Sequence, residues 1–248
     1  MLLVWKMPVT RPTRDIDLLG RVSNDLSSVQ NVIATICQVP AENDGMFFDH
    51  ESVTTERIAE DADYEGVRAT FRALLGNANL PMQIDLGFSD IVTPEATTIV
   101  YPAILGHRAP ELFAYNRETV IAEKFEAMVK LGELNSRMKD FFDIWVLART
   151  GQFRGLELSH AIEQTFFHRG TALITGPICF TEAFATSPAK VAQWAAFLRR
   201  NTFADVPDTF SDVVTFIAGF LRPISISFVE KQPLNSVWEA GGPWRSGV

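Results

Sequence analysis

The sequence predicts an α+β protein: a mixed sheet flanked by helices over residues 1–105, then a mainly helical region over residues 106–248. Three observations carry this. Up to about residue 100, segments rich in β-branched and aromatic residues alternate apolar and polar side chains, as half-buried strands do. From about residue 116 the apolar positions recur at helical spacing instead. The chain is 247 peptide bonds long and 47% hydrophobic, enough to bury the core of one large domain or two small ones.

The first element is the block "RPTRDIDLLG", residues 11–20. Read as a strand, it sends Asp15 and Asp17 to one face and Ile16 and Leu18 to the other, into a core. "NDLSSVQNVIATICQV" reads as a helix capped by Asn24 or Asp25, with Val29, Ile33, Ile36 and Cys37 as its apolar stripe. "HESVTTERI" and "EGVRATFRALLG" follow as strands. "ANLP" supplies a turn, and "LPMQIDLGFSD" a strand with Met82, Ile84, Leu86 and Phe88 on one face and Gln83, Asp85 and Gly87 on the other. "TTIVYPAIL" is extended but interrupted by Pro102, which places it at a sheet edge. The helices then begin: "NRETVIAEKFEAMVKLGEL" capped by Asn116, "SRMKDFFDIWVLART" capped by Ser136, and three more ending near Leu221. The last 25 or so residues, holding Pro223, Pro233 and the "GGPW" turn, read as a tail.

Composition narrows the function. Net charge is −8, so no global basic field attracts nucleic acid, and an RNA partner would depend on local cations such as Arg11, Arg14, Lys130, Arg137 and Lys139. Cys37 and Cys179 lack metal or redox spacing and read as reduced core thiols of a cytoplasmic protein. No apolar run reaches the about 18 residues of a membrane span, so no membrane partner is expected. The opening "MLLVWKMPVT" lacks the basic region and cleavage pattern of a signal peptide and reads as the end of an amphipathic helix. The phosphate-binding, dinucleotide-binding and serine-hydrolase glycine motifs are all missing, and His50, His107, His160 and His168 have no metal-ligand spacing.

The chemistry is carried by carboxylates and one lysine. Asp15 and Asp17 share a face roughly 6–7 Å apart, where like charges repel unless a metal, a cation or solvent offsets them. Asp85 lies on the polar face of another strand; were the two strands neighbours, three hard oxygen ligands suited to Mg²⁺ would converge. The plain alternative is surface carboxylates on an edge strand. Lys124 borders the apolar stripe of its helix and either snorkels to water or reaches a cleft, with Glu123, Glu126 and Lys130 on the wetter side. Asp143 sits mid-helix in "FFDIWVLA", apolar nearly all round, where a carboxylate is costly unless paired or facing a wet cleft. Asp140 lies one turn earlier, near the helix start, where the dipole tolerates an anion. Lys124 and Lys139 are candidate partners for both. Arg11, Thr13 and Arg14 precede the first aspartate and could touch phosphates.

Taken in order, "RPTRDIDLLG", "MQIDLGFSD", "ETVIAEKFEAM" and "MKDFFDIWVL" resemble the motifs of the AbiEii/AbiGii-type nucleotidyltransferase toxins, in the DNA polymerase β-like superfamily. The resemblance covers roughly residues 1–150. It implies a nucleotidyltransferase-type sheet domain over residues 1–105 and a helical domain over 106–248. It implies Asp15 and Asp17 as the metal-binding pair and Asp85 as the third carboxylate. Lys124 would contact NTP phosphates, and Asp140 and Asp143 form the late acidic motif. Arg11, Thr13, Arg14, Lys124, Lys139 and Asp140 are the substrate-binding candidates; Asp15, Asp17, Asp85, Lys124 and Asp143 are the catalytic ones. The implied reaction is Mg²⁺-dependent transfer of a nucleotide from an NTP to an acceptor hydroxyl, for several relatives a tRNA end, in a protein that pairs with an antitoxin.

One departure is visible. The family's glycine turn, upstream of the helix that leads to the first aspartates, has no counterpart before "MLLVWKM". Either the start is misassigned or truncated, or a phosphate cradle has been lost; the second supports an alternative reading, a catalytically degenerate nucleotidyltransferase fold that binds nucleotide or a protein partner. The retained carboxylates support the enzyme.

Overall fold

The computed structural model describes residues 5, 16–40, 44–61, 64–103, 106, 108–201, 203 and 205–247, with backbone alone at 59–61 and 64–65. Arg11, Thr13, Arg14, Asp15 and His107 lie outside the described residues. By packing, the chain divides into two units: the described residues up to Asp90 form one, and Ile91 onward, with Trp5, the other.

The first unit is a mixed sheet with one helix. Strands β1 (Ile16–Leu19), β2 (Met46–Asp61), β3 (Tyr64–Leu75) and β4 (Ala78–Gly87) lie in the order β1-β4-β3-β2. β1 runs parallel to β4, and the other pairs are antiparallel. Helix α1 (Leu26–Cys37) begins at Asp25, whose carboxylate accepts from the Ser28 N–H. It packs Val29 and Ile33 against Val53, Val67, Ala69, Phe71, Ile84 and Leu86. Alternation puts these strand residues on one face and Arg68, Thr70, Gln83 and Asp85 on the other.

Three local expectations need correction. The β3–β4 turn is not "ANLP" but Gly76-Asn77, with Gly76 at φ +56°, so Ala78 already pairs with Leu75. A residue without Cβ adopts that left-handed conformation cheaply. Ile36 is exposed rather than part of the stripe. Ile16 and Leu18 share the α1 side of the sheet but remain 44% exposed, because α1 lies over β2 and β3 and leaves the β1 edge uncovered.

The second unit begins with a two-stranded hairpin, β5 (Thr97–Val100) on β6 (Glu111–Ala114). Helices α2 (Arg117–Leu131), α3 (Met138–Thr150), α4 (Gly155–His168), α5 (Glu182–Ala185), α6 (Pro188–Arg200) and α7 (Phe210–Val229) follow. Asn116 caps α2 by accepting from the Thr119 N–H. Ser136 does not cap α3; the adjacent Asn135 side chain accepts from the Arg137 N–H instead. α3 is the central helix, buried from Asp140 to Ala148. It shares one apolar core with Ile121, Phe125 and Met128 of α2, Leu158 and Phe166 of α4, and Val213, Ile217, Phe220 and Leu221 of α7.

The C-terminal segment is not a tail. α7 continues through Pro223 to Val229, anchored by buried Phe220 and Leu221 before the proline and Ile224 after it. Strands β8 (Ser236–Trp238) and β9 (Trp244–Ser246) then add to β7 (Phe153–Arg154). Trp238 Nε1 donates to the Ala148 carbonyl at 2.7 Å, and Trp244 Nε1 to the Phe220 carbonyl at 2.8 Å. Gly155 holds the same segment close: a Cβ there would meet the Leu234 carbonyl oxygen at 2.3 Å. By length and composition α7 is apolar enough to cross a membrane, which the sequence reading did not anticipate. In this fold its apolar face is core.

Candidate active site

On the sheet, pairing brings charged residues into one row. Asp17 lies in register with Asp85 on the neighbouring parallel strand. Asp85 is paired with Arg68, and Arg68 with Glu56. In-register residues project from the same face, and neighbouring strands lie about 4.8 Å apart. The row Asp17–Asp85–Arg68–Glu56 therefore crosses all four strands on the face opposite α1.

Asp17 is exposed. Asp85 is not free: Arg68 grips it with two hydrogen bonds, Nε to Oδ1 and Nη2 to Oδ2, each 2.8 Å. Gln83 Nε2 reaches both oxygens at 3.2 Å. The Asp85 side chain is 16% exposed and that of Arg68 33%. Such a fork is the strongest common pairing of a carboxylate. An open depression of about 590 Å³, lined by Ser52, Thr70, Arg72, Pro81 and Gln83, adjoins the row.

As donors, Asp17 and Asp85 are the hard anionic oxygens that Mg²⁺ takes, and Asp17 meets solvent. Asp85 fits the same role only as a shared carboxylate, since both of its oxygens already accept. Among the described residues no group of three His, Cys, Asp or Glu side chains forms a metal cluster. Asp15, the third of the expected ligands, lies outside those residues.

In the helical unit a second constellation forms between α2 and α3. Lys124 does not snorkel. Its Nζ donates to Asp140 Oδ1 at 2.9 Å and lies 2.9 Å from Asp143 Oδ2. Asp140 is fully buried and Asp143 nearly so. Spacing explains the meeting: the two aspartates are three residues apart and stack on one face of α3. Burial by itself lowers the pKa of Lys124, but Asp143 and then Asp140 outweigh it, and the ammonium is held above the ordinary lysine range. Arg137 Nε sits 2.6 Å from the other Asp140 oxygen as an ion contact without hydrogen-bond alignment. Lys139, the other candidate partner, is exposed, because its position on α3 points away from Asp140 and Asp143.

Glu126 is not on a wet face. It is fully buried, accepting from Arg169 Nη1 at 3.2 Å and from the Thr171 hydroxyl. Arg169 also lies 3.8 Å from Glu123. This pairing ties α2 to the end of α4. Nothing in the local pattern of α2 marked it, because both partners, Arg169 and Thr171, lie just past the end of α4. Arg68 was also overlooked, although the hairpin register could have revealed it.

Among solved structures, JHP933 from Helicobacter pylori is similar at 13% identity and TM-score 0.44, over 93% of this chain and 81% of that one. A proposed nucleotidyltransferase from H. pylori is similar at 14% identity and TM-score 0.43, over 93% and 84%. No curated protein matches the chain. The family assignment rests on a family model that matches residues 1–215: this chain belongs to the nucleotidyl transferase AbiEii toxin family of type IV toxin–antitoxin systems.

Proposed function

We propose that the chain is a Mg²⁺-dependent nucleotidyltransferase that moves a nucleotide from an NTP to an acceptor hydroxyl, with an RNA end such as that of tRNA as acceptor. Family membership supports the reaction class. The observation that carries the site is the in-register pairing of Asp17 with Asp85 on neighbouring strands.

In the reaction the acceptor oxygen forms a bond to the α-phosphorus. The bond from that phosphorus to the β-phosphate oxygen breaks, and pyrophosphate leaves. Bound Mg²⁺ would stabilise charge on the phosphate oxygens and help ionise the acceptor. Asp15 and Asp17 would hold it, with Asp85 as the third carboxylate. Arg11, Thr13 and Arg14, just before these aspartates, and Lys139 are assigned to the phosphates and the acceptor. The family resemblance would also assign Lys124 to the phosphates. Asp140 and Asp143 fix the Lys124 ammonium in place, a role supported by the two 2.9 Å contacts. The protein acts in the cytoplasm and is held in check by a cognate antitoxin.

A second reading, a non-catalytic nucleotide- or protein-binding module, is favoured by one feature, the occupation of Asp85 by Arg68. Incubation with each α-labelled NTP, Mg²⁺ and total RNA separates the two. The enzyme labels RNA with one preferred NTP, and Asp17→Ala loses at least about a hundredfold, as expected when a charge-stabilising group is removed. Full labelling by Asp17→Ala refutes the assigned site. No labelling by either protein favours the binding module.

A further inference from the structure

The proposed site asks Asp85 to serve a metal, yet the structure gives both of its oxygens to a guanidinium. Arg68 faces it directly across the β3–β4 pair, so the contact is built into the hairpin register rather than reached by a wandering side chain. Both fork bonds are 2.8 Å, and Gln83 adds a donor from the same strand as Asp85. Beside the fork, Asp17 stands exposed on the edge strand. Arg68 has Glu56 opposite it on β2, a carboxylate on the side away from Asp85.

A cation fixed on Asp85 does two things. It removes the like-charge repulsion that would otherwise set Asp85 against Asp17. It also competes with any divalent ion for the same oxygens, because the fork takes two of the carboxylate's roughly four acceptor sites and the Gln83 contacts crowd the rest. We infer that Arg68 is a positioning residue that guards Asp85: it holds the third carboxylate while no metal is bound and must yield at least one oxygen when metal enters. Glu56 is the carboxylate that can receive the displaced guanidinium. The arrangement lowers metal affinity in the resting protein and makes full metal loading conditional on moving one side chain. This inference rests on the metal reading of the preceding subsection.

The test is a Mn²⁺ titration of the full chain, followed by the electron paramagnetic resonance signal of free Mn²⁺. Wild type, Arg68→Gln, Asp85→Asn and the double variant Arg68→Gln/Asp85→Asn are compared, with folding checked by far-ultraviolet circular dichroism. The guard predicts that Arg68→Gln binds Mn²⁺ roughly tenfold tighter, because the fork is a strong but partly exposed pair. The gain disappears in the double variant, which has no third carboxylate to release. A merely structural arginine would leave the affinity unchanged or weaken it. Unchanged or weaker binding by Arg68→Gln, or a gain that survives Asp85→Asn, overturns the inference. Should Arg68→Gln not fold, Arg68→Lys keeps the charge but cannot fork, and is expected to tighten binding roughly threefold, since one hydrogen bond of two is lost; no change there is equally fatal. Absence of Mn²⁺ binding by every protein would instead overturn the metal reading itself, and the guard with it.

Discussion

Removing Lys124 is the sharpest test of the helical constellation. Lys124→Met keeps the length of the side chain and deletes the ammonium between Asp140 and Asp143. Each contact is 2.9 Å. At an effective dielectric of about 20, each attraction is worth roughly 5–6 kcal/mol before desolvation is charged against it. Most of that gain offsets the cost of taking three charges out of water, and breaking such a pair from one side costs about 3–5 kcal/mol in practice. Arg137 remains beside Asp140 when Lys124 is gone. All five tryptophans belong to the unit that contains this cluster, so tryptophan fluorescence during urea unfolding reads that unit without interference from the sheet. The expected result is a loss of about 3–5 kcal/mol for Lys124→Met. In the double variant with Asp143→Leu, at least about 2 kcal/mol is recovered relative to additive behaviour, because the buried charge left behind is gone. The pH dependence follows from the raised pKa of Lys124. Its stabilisation is fully present below the ordinary lysine value of 10.5 and is lost only as pH rises through the higher folded value. The penalty should therefore be flat from about pH 6 to about pH 9. A loss below about 1 kcal/mol, or strictly additive costs, would refute the buried network.

Other outcomes follow from the same structure. Glu126→Gln should cost about 2–4 kcal/mol in the same fluorescence assay, since it removes the buried charge that accepts from Arg169 at 3.2 Å; a change within about 0.5 kcal/mol would deny that Glu126 is charged and paired. Burial pushes the Cys179 thiol up to about 12, and Cys37 is also raised, by burial and by Asp49. A thiol-specific chromogenic reagent should thus titrate Cys37 in the folded protein and Cys179 only on unfolding, and native Cys37→Ser should not react. Gly155→Ala should destabilise by at least about 2 kcal/mol, because the neighbour at 2.3 Å is a backbone carbonyl that cannot swing aside; tolerance of the substitution would show that the C-terminal segment is loosely attached.

How much of this was legible in the chain depends on whether the forces were local. The alternation in "MQIDLGFSD" placed Asp85 on the polar face of a strand, and the structure sets it beside Asp17. Asp143 in an apolar helix demanded a partner, and Lys124 is that partner. Arg68 was readable in principle. With the turn at Gly76-Asn77, counting seven residues back from Leu75 and seven forward from Ala78 arrives at Arg68 and Asp85. Reading "ANLP" as the turn hid that register. The exposed Ile16 and Leu18 were misjudged because alternation shows which side a residue takes, not whether a helix covers that side. Pro223 lies in α7 and not in a tail, although propensity disfavours proline inside a helix. Tertiary packing of Phe220, Leu221 and Ile224 overrides it. The salt bridge of Glu126 to Arg169 joins residues 43 apart in sequence, and no local pattern encodes it.

The most direct test of the central claim is calorimetric titration of each NTP, with and without Mg²⁺, into the wild-type protein and Asp17→Ala. The account predicts that one NTP binds wild type only when Mg²⁺ is present, and that Asp17→Ala abolishes this binding. Equal binding with and without Mg²⁺, or binding that survives Asp17→Ala unchanged, would contradict a nucleotidyltransferase site built on the β1 carboxylate.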